Sequence, residues 1–432
     1  MTCEVLDALG SLVRLTRRSP TLDGSVPVRV ARACLPLLEG NAYGWQLTLD
    51  RPLRLARRLG RWSASWEDGD ARRVERLHTG VLPRLAVEGY LPSDAWRRAL
   101  GRGVVQGRPG GVRLFTGLLV RPEPGTWLRL TSAANRRNTL FEVGEQVVPD
   151  DGGWVPLVID LLPRRGAPAR FQVMGEVATL APLRPGVRFR ACAAADAPEL
   201  AKAHAAFYDR EYFDRKKEDV TGKYRRLAAA ESLAPSDDEA ACRVATMGDC
   251  RHEVRPLDRF TSARGPVPEA RPSESRRLDT VVFRNEVPFT ALFDGHTLAL
   301  EYDRRRLARR AARVERDFAA AAGEPAREHP GAGLYLTRYF TPHPPGEPHF
   351  FVKPWAFTET PAGWSSLLDG VHGDGYDVLR GVVSTDLFFA TPAVFRVHRE
   401  GSPVRVAEGQ PLLRVIPVPR SLLSADYRLR RL

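Results

Sequence analysis

Short runs of alternating apolar and polar residues, broken by Gly and Pro, occur twice along this chain in similar order and limit what it can fold into. Around residue 36 it reads PLLEGNAYGWQLTLDRPLRLARRLGRW, and around residue 288 PFTALFDGHTLALEYDRRRLARRAARV. Each stretch has a proline, a Gly next to a ring (Gly44-Trp45, Gly295-His296), an alternating run (46–49, 297–300) and a basic segment containing RLARR. Alternation is what a strand buried on one face requires. The parallel continues with RLFTGLLVRPEPGTWLRLTS (113–132) beside LYLTRYFTPHPPGEPHFFVKP (334–354), each read as strand, turn, strand. It ends with PARFQVMGEVATLAPLRP (168–185) beside PVRVAEGQPLLRVIPVPR (403–420), aligning Pro168 and Pro182 with Pro403 and Pro417. The expected fold class is mainly β (α+β): tandem duplicated β-rich domains with a helical insert between them.

The expected divisions are an N-terminal segment over 1–29, a first copy over 30–190, an insert and Pro-rich linker over 191–279, and a second copy over 280–432. Asp196-Ala-Pro-Glu199 has the form of a helix start, with a capping residue and proline in the first turn. That helix is expected to reach about residue 217, with Leu200, Ala203/His204 and Phe207 facing inward, and 233–278 reads as loop or linker. The basic segment of the second copy predicts an amphipathic helix, capped by Asp303 and ended by Gly323, with Leu307, Ala311, Val314 and Phe318 on one face.

Composition narrows the function classes. With 43% hydrophobic and 27% charged residues the chain is that of a globular protein. No apolar run reaches the roughly 18 residues of a membrane span, and the start MTCEVLDALGSLVRL lacks the pattern of a secretory signal. A cytoplasmic protein with no membrane partner is expected. Five scattered cysteines (Cys3, Cys34, Cys192, Cys242, Cys250) do not form a disulfide pattern. The net charge of +13 comes almost wholly from arginine, with only five lysines. That skew resembles codon bias, so a nucleic-acid partner reads as unlikely.

In TGLLVRPEPGTWLRLTSAANRRN and in LRGVVSTDLFFATPAVFRVHREGSPVRVAEGQPLLRVIPVPR the chain resembles the dUTPase-like β-clip superfamily. Both copies also resemble an uncharacterised bacterial domain family, through Cys34-Leu-Pro-Leu37, Asn41 and Gly44-Trp45, and through the closing Pro417-Val-Pro-Arg420. The resemblance implies a β-clip fold over about two-thirds of the chain. Ser384 stands where a dUTPase has its water-activating Asp, and Thr131-Ser-Ala-Ala134 and Lys353-Pro-Trp-Ala356 stand where its Arg-Ser-Gly phosphate cradle would be. Hydrolysis of dUTP is not expected.

Several groups could carry chemistry. His343, Glu347 and His349 (HPPGEPH) have the ligand types of a two-His-one-carboxylate site for a divalent metal; the alternative is a polar hairpin loop. His372, Asp374 and His398, with Asp386, are candidate catalytic groups, and Arg405, Arg420, Tyr208 and Trp355 candidate contacts to a small anionic molecule. Against these stands the reading of Asp374-Gly375 as a plain turn. Cys242, Cys250 and His252 lack paired zinc-ligand spacing. Six of the nine histidines lie in the second copy. Two readings follow: an enzyme of small-molecule metabolism acting on a small anion in or near the second copy, or a non-catalytic ligand- or partner-binding protein on duplicated, degenerate dUTPase-like domains. Both leave homo-oligomerisation open.

Overall fold

Burial follows the alternation along the strands. In β3 (Trp45–Arg58) the side chains of Trp45, Leu47, Leu49, Leu53 and Leu55 are buried, while Asp50 and Arg54 are exposed. The computed structural model describes residues 3–7, 13–19, 34–66, 105–108, 110–150, 152–207, 241–257, 260–261, 277–342, 347–371, 373–398 and 400–431. Over these the chain is mainly β. None of the described helices is long and apolar enough to cross a membrane.

The first strand set comprises β1 (Cys3–Asp7), β2 (Val13–Arg17), β3, β4 (Arg61–Trp66), β5 (Val105–Arg108), β6 (Gly111–Pro122), β7 (Trp127–Ser132), β8 (Phe141–Val143), β9 (Glu145–Val148), β10 (Val155–Pro163), β11 (Arg170–Leu183) and β12 (Arg188–Ala193). The second comprises β13 (Ala241–Thr246), β14 (His252–Pro256), β15 (Phe260–Thr261), β16 (Asp279–Arg284), β17 (Phe289–Phe293), β18 (Leu298–Tyr302), β19 (Phe340–Pro342), β20 (His349–Val352), β21 (Ala356–Glu359), β22 (Trp364–Gly370), β23 (Tyr376–Leu379), β24 (Gly381–Val383), β25 (Ala393–Val397), β26 (Val404–Val406), β27 (Pro411–Pro419) and β28 (Tyr427–Arg431). Helix α1 (Leu35–Ala42) precedes β3, α2 (Pro198–Phe207) follows β12, and α3 (Arg304–Ala322), α4 (Glu324–Glu328) and α5 (Pro330–Thr337) lie between β18 and β19.

The pairings of the first set recur in the second. The long bulged ladder of β3 on β11 matches β16 on β27 continued by β17 on β26. On either side of it, β2 and β4 on β3 match β14 on β16 and β18 on β17. The pairs β7–β11 and β7–β9 match β22–β27 and β22–β24. The pairs β5–β6, β6–β10 and β10–β8 match β19–β20, β20–β25 and β25–β23. The ends are exchanged: β12, the last strand of the first set, pairs in parallel with β13 of the second, and β28, the last strand of the second, pairs in parallel with β1 of the first. One core lies within the first set; the larger one carries Trp127 and Leu183 of the first set into the packing of the second.

The first two pairs of aligned sequence segments do not take the same structure. Residues 35–42 are helix, whereas 289–293 are strand. The shared RLARR is strand in β3 and helix in α3. In β3 the apolar period is two and β11 offers a partner; in α3 Asp303 accepts from the Arg306 N–H at 2.9 Å, and Val314 and Phe318 are buried. Context, not the pentapeptide, decides. The segment 334–354 opens with α5 rather than a strand. The strands β6 and β7 lie in different sheets, so 113–132 turns a corner and is no hairpin. Part of the expected linker forms β13 and β14. Helix α2 starts where expected, with Leu200, His204 and Phe207 buried and Ala203 exposed; its continuation to 217 lies outside the described residues.

Candidate functional site

The two strand sets meet along a seam built on the segment after β7. Thr131-Ser-Ala-Ala134, singled out by position in the sequence, enters this seam. Asn135 takes a left-handed conformation (φ 60°), which asparagine tolerates better than most residues. Its amide closes on the Arg380 peptide from both ends: Nδ2 donates to the Arg380 carbonyl at 2.8 Å, and Oδ1 accepts from the Arg380 N–H at 2.5 Å. Asn138 Oδ1 accepts from the N–H groups of Leu140 and Phe141 and turns the chain into β8.

Charged groups from both sets interlock here. Arg129 of β7 donates from Nε to Glu145 Oε1 at 2.5 Å and from Nη2 to Asp369 of β22. Arg414 of β27 donates to Glu145 Oε2 at 2.8 Å and Asp369 Oδ2 at 3.1 Å. Arg380 reaches Asp369 Oδ1 at 3.1 and 3.2 Å and Thr131 Oγ1 at 2.8 Å. Three guanidiniums thus share two carboxylates, and Nη1 of both Arg129 and Arg380 is buried with no hydrogen-bond partner. Burial works to raise the Glu145 carboxyl, but Arg129 and Arg414 outweigh it and hold it down at about 2. Asp369 is held well below the carboxylate range, burial again being overcome by the three arginines. Burial pulls Arg380 down against the pull of Asp369. Beneath the same segment Arg18 is buried, donates to the Ala134 carbonyl at 2.7 Å and is lowered to about 10; burial leads, Glu176 opposes it, and Arg380 and Arg136 add to it.

Two cavities adjoin along the seam. One, of about 270 Å³, is lined by this cluster, by Asn135 and Glu142, and by Arg255. The other, of about 330 Å³, is lined by Glu142, Arg164, Arg165, Asp374 and His398. His398 is buried at the end of β25. Its Nε2 meets Asp377 Oδ2, and the same carboxylate accepts from Arg396 Nη2 at 2.8 Å. Arg396 in turn donates to the Asn135 carbonyl at 2.9 Å. A carboxylate on one ring nitrogen fixes the tautomer and orientation of an imidazole, which suits it to proton transfer. The tight turn before β23 depends on glycine: a Cβ on Gly373 would lie 2.0 Å from the Tyr376 ring.

The structure sorts the candidate residues. Asp374 and His398 line the same cavity, while His372 lies outside the described residues. Asp386 is bound bidentate by Arg420 at 2.6 and 2.7 Å and accepts from the Gly363 N–H at 3.0 Å, so this pair clasps two chain segments and lines neither cavity. Arg405 is exposed on β26 opposite Thr290 and lines neither cavity. Trp355 is a core residue, 1% exposed, whose indole N–H donates to the Leu336 carbonyl at 3.1 Å; its apolar ring area is used in packing on Tyr339. Tyr208 and His343 lie outside the described residues. His349 is buried with Nδ1 3.8 Å from Glu347 Oε2, and among the described residues no three His, Cys, Asp or Glu side chains form a metal-holding group. Cys242 is fully buried, and burial pushes both its thiol and that of Cys250 up. His204, at the middle of α2, packs 4.9 Å from the Phe357 ring, and burial lowers its imidazole to about 3. The reading of residues missed Arg129, Glu145, Asp369, Arg380, Arg414, Asp377 and Arg396, which no local motif marks.

The chain matches no family model, and a comparison with curated proteins finds no match.

Proposed function

We propose that the two cavities of the seam form one site for a small anionic molecule, and that His398 serves as the proton-transfer group on what binds there. The observation that carries this is the charge imbalance: three guanidiniums, those of Arg129 and Arg380 buried and that of Arg414 partly so, on two carboxylates at the wall of a cavity of about 270 Å³. An uncompensated buried charge is costly, and an entering phosphate or carboxylate recovers that cost. Arg164 and Arg165 extend the same attraction into the cavity that holds His398. Carboxylate-held histidine next to a cationic wall fits general acid–base work on an anionic substrate, in the small-molecule metabolism expected from the second copy.

The recurring strand pairings support descent from one doubled β unit, and the position of Thr131-Ser-Ala-Ala134 in the cavity supports a degenerate dUTPase-like origin. A purely binding role is the second reading. It is favoured by the engagement of Arg129 on both Glu145 and Asp369, which spends its fork on the protein itself.

Titration calorimetry with phosphate, pyrophosphate, nucleoside phosphates and dicarboxylates tests the site. Binding of at least one anion class is expected, weakened tenfold or more in Arg380→Met, in line with loss of a charge-assisted contact of about 1.5 to 3 kcal/mol. No anion binding by the intact chain would sink the proposal. If a ligand binds and is recovered unchanged with His398 intact, the binding reading stands instead of the enzymatic one.

A further inference from the structure

The arginines of this chain are not spread evenly over its surface. Residues 51–66 hold five arginines and no acid, and they form the hairpin of β3 and β4. The neighbouring strand β11 accompanies β3 only as far as the pair Arg170–Ala56, with a last hydrogen bond from the Arg57 N–H to the Ala169 carbonyl. Beyond it, among the described residues, the rung Arg58–Arg61 and the turn Leu59-Gly60 extend past β11. At two residues per strand the projection is roughly 7 Å. Trp62 is buried against Phe171, ring centroids 5.6 Å apart, which braces the base of the arm.

Two features of the tip work against stability of the free protein. Arg58 lies directly opposite Arg61, a like-charge cross-strand pair. Leu59 is fully exposed (103%) and left-handed (φ 49°), followed by Gly60 at φ 76°; such turns favour Asn, Asp or Gly at that place. Arg57, Arg58, Arg61 and Arg170 are exposed and make no ion pair among the described residues. A surface that keeps a bare apolar tip between unneutralised arginines is complementary to a polyanion with an apolar interior edge.

We propose that the Arg57–Arg61 turn is a binding arm for duplex nucleic acid, with its arginines on backbone phosphates and Leu59 directed into the groove. A two-stranded ribbon fits the major groove of B-DNA, about 12 Å wide and 8.5 Å deep, and the projection with its arginine side chains spans that depth. Net charge alone did not lead to this partner; the concentration of charge in one projecting turn does. The arm is separate from the seam, and its role does not depend on the reading given to the cavities.

Fluorescence anisotropy of the full chain with a labelled 20-base-pair DNA, over a salt series, tests it. The triple variant Arg57→Ala, Arg58→Ala, Arg61→Ala should bind roughly tenfold or more weakly at about 100 mM salt. Its log–log salt slope should be smaller by about 2 to 3, one unit per phosphate contact removed. Leu59→Ala should weaken binding a few-fold with the slope unchanged. The variant Arg305→Ala, Arg309→Ala, Arg316→Ala, which removes equal charge from the exposed face of α3, should bind within about twofold of the native chain. All these positions are exposed, and circular dichroism checks that each variant is folded. The proposal is overturned if the duplex does not bind at about 50 mM salt, if the α3 variant loses as much as the arm variant, or if single-stranded DNA or heparin binds as tightly as the duplex.

Discussion

The corners where β8 meets β10 and β23 meets β25 have the same ladder and different chemistry. In the first, Glu142 stands opposite Leu162, and Arg164 follows the strand. In the second, Asp377 stands opposite Arg396, and His398 follows. Backbone pairing is therefore repeated while the side chains diverge, and only the second corner closes an Asp–Arg–His cluster. Glu142, left out of any such cluster, lines both cavities instead. Two corners with the same strand pairing thus supply different groups, cavity wall in the first and a carboxylate-held imidazole in the second.

The largest effect should come from the seam itself. Asp369→Ala leaves Arg129 and Arg414 on Glu145 alone and the buried Arg380 without its carboxylate, and is expected to cost about 3 to 5 kcal/mol, the range for breaking a buried pair. Asp160→Ala removes the partner of Arg113 within the first set, where the Arg113 side chain is 26% exposed and can turn to water. About 1 to 2 kcal/mol is expected there. Urea unfolding measures both, and equal losses would erase the distinction between the seam and an ordinary pair.

Acid should act on the same contrast. The folded-state values of Glu145 (about 2) and Asp369 are depressed below their unfolded values. Their contribution is therefore fully present above roughly pH 4.5 and is lost as pH falls toward 2. The native chain should lose stability steeply across that window, and Asp369→Ala should show a flatter curve. Parallel curves for the two proteins would mean that the seam carboxylates do not govern acid unfolding.

The smallest effects separate the two corners. Asp377→Asn removes the carboxylate that the buried Arg396 and His398 share and should cost about 1 to 3 kcal/mol. Glu142→Gln should stay within about 0.5 kcal/mol, as for a substitution outside any buried network. A cost for Glu142→Gln as large as that for Asp377→Asn would show that the corners are equivalent after all.

Local features of the fold were legible in the residues. The period-two runs of β3, the Asp303 cap and Gly323 stop of α3, and the start of α2 are set by interactions within a few residues, and so they can be read there. Spacing could not reveal that RLARR is strand in one place and helix in the other, because β11 and the core under α3 supply the deciding contacts. Asp374 and His398 could be singled out by residue type. Asp386 and Arg420 could be singled out too, but type alone does not say that they are spent on each other.

What the sequence by itself determined is the mainly β character, the turn positions and the chemical inventory, since these rest on backbone preference and side-chain identity. Only the tertiary structure decided which charges meet. Arg129 and Asp369 are 240 residues apart, and their pairing, like the exchange of β12 and β28, exists because long-range strand ladders bring the two sets face to face. Burial then binds those charges to one another, by removing the water that would otherwise satisfy them.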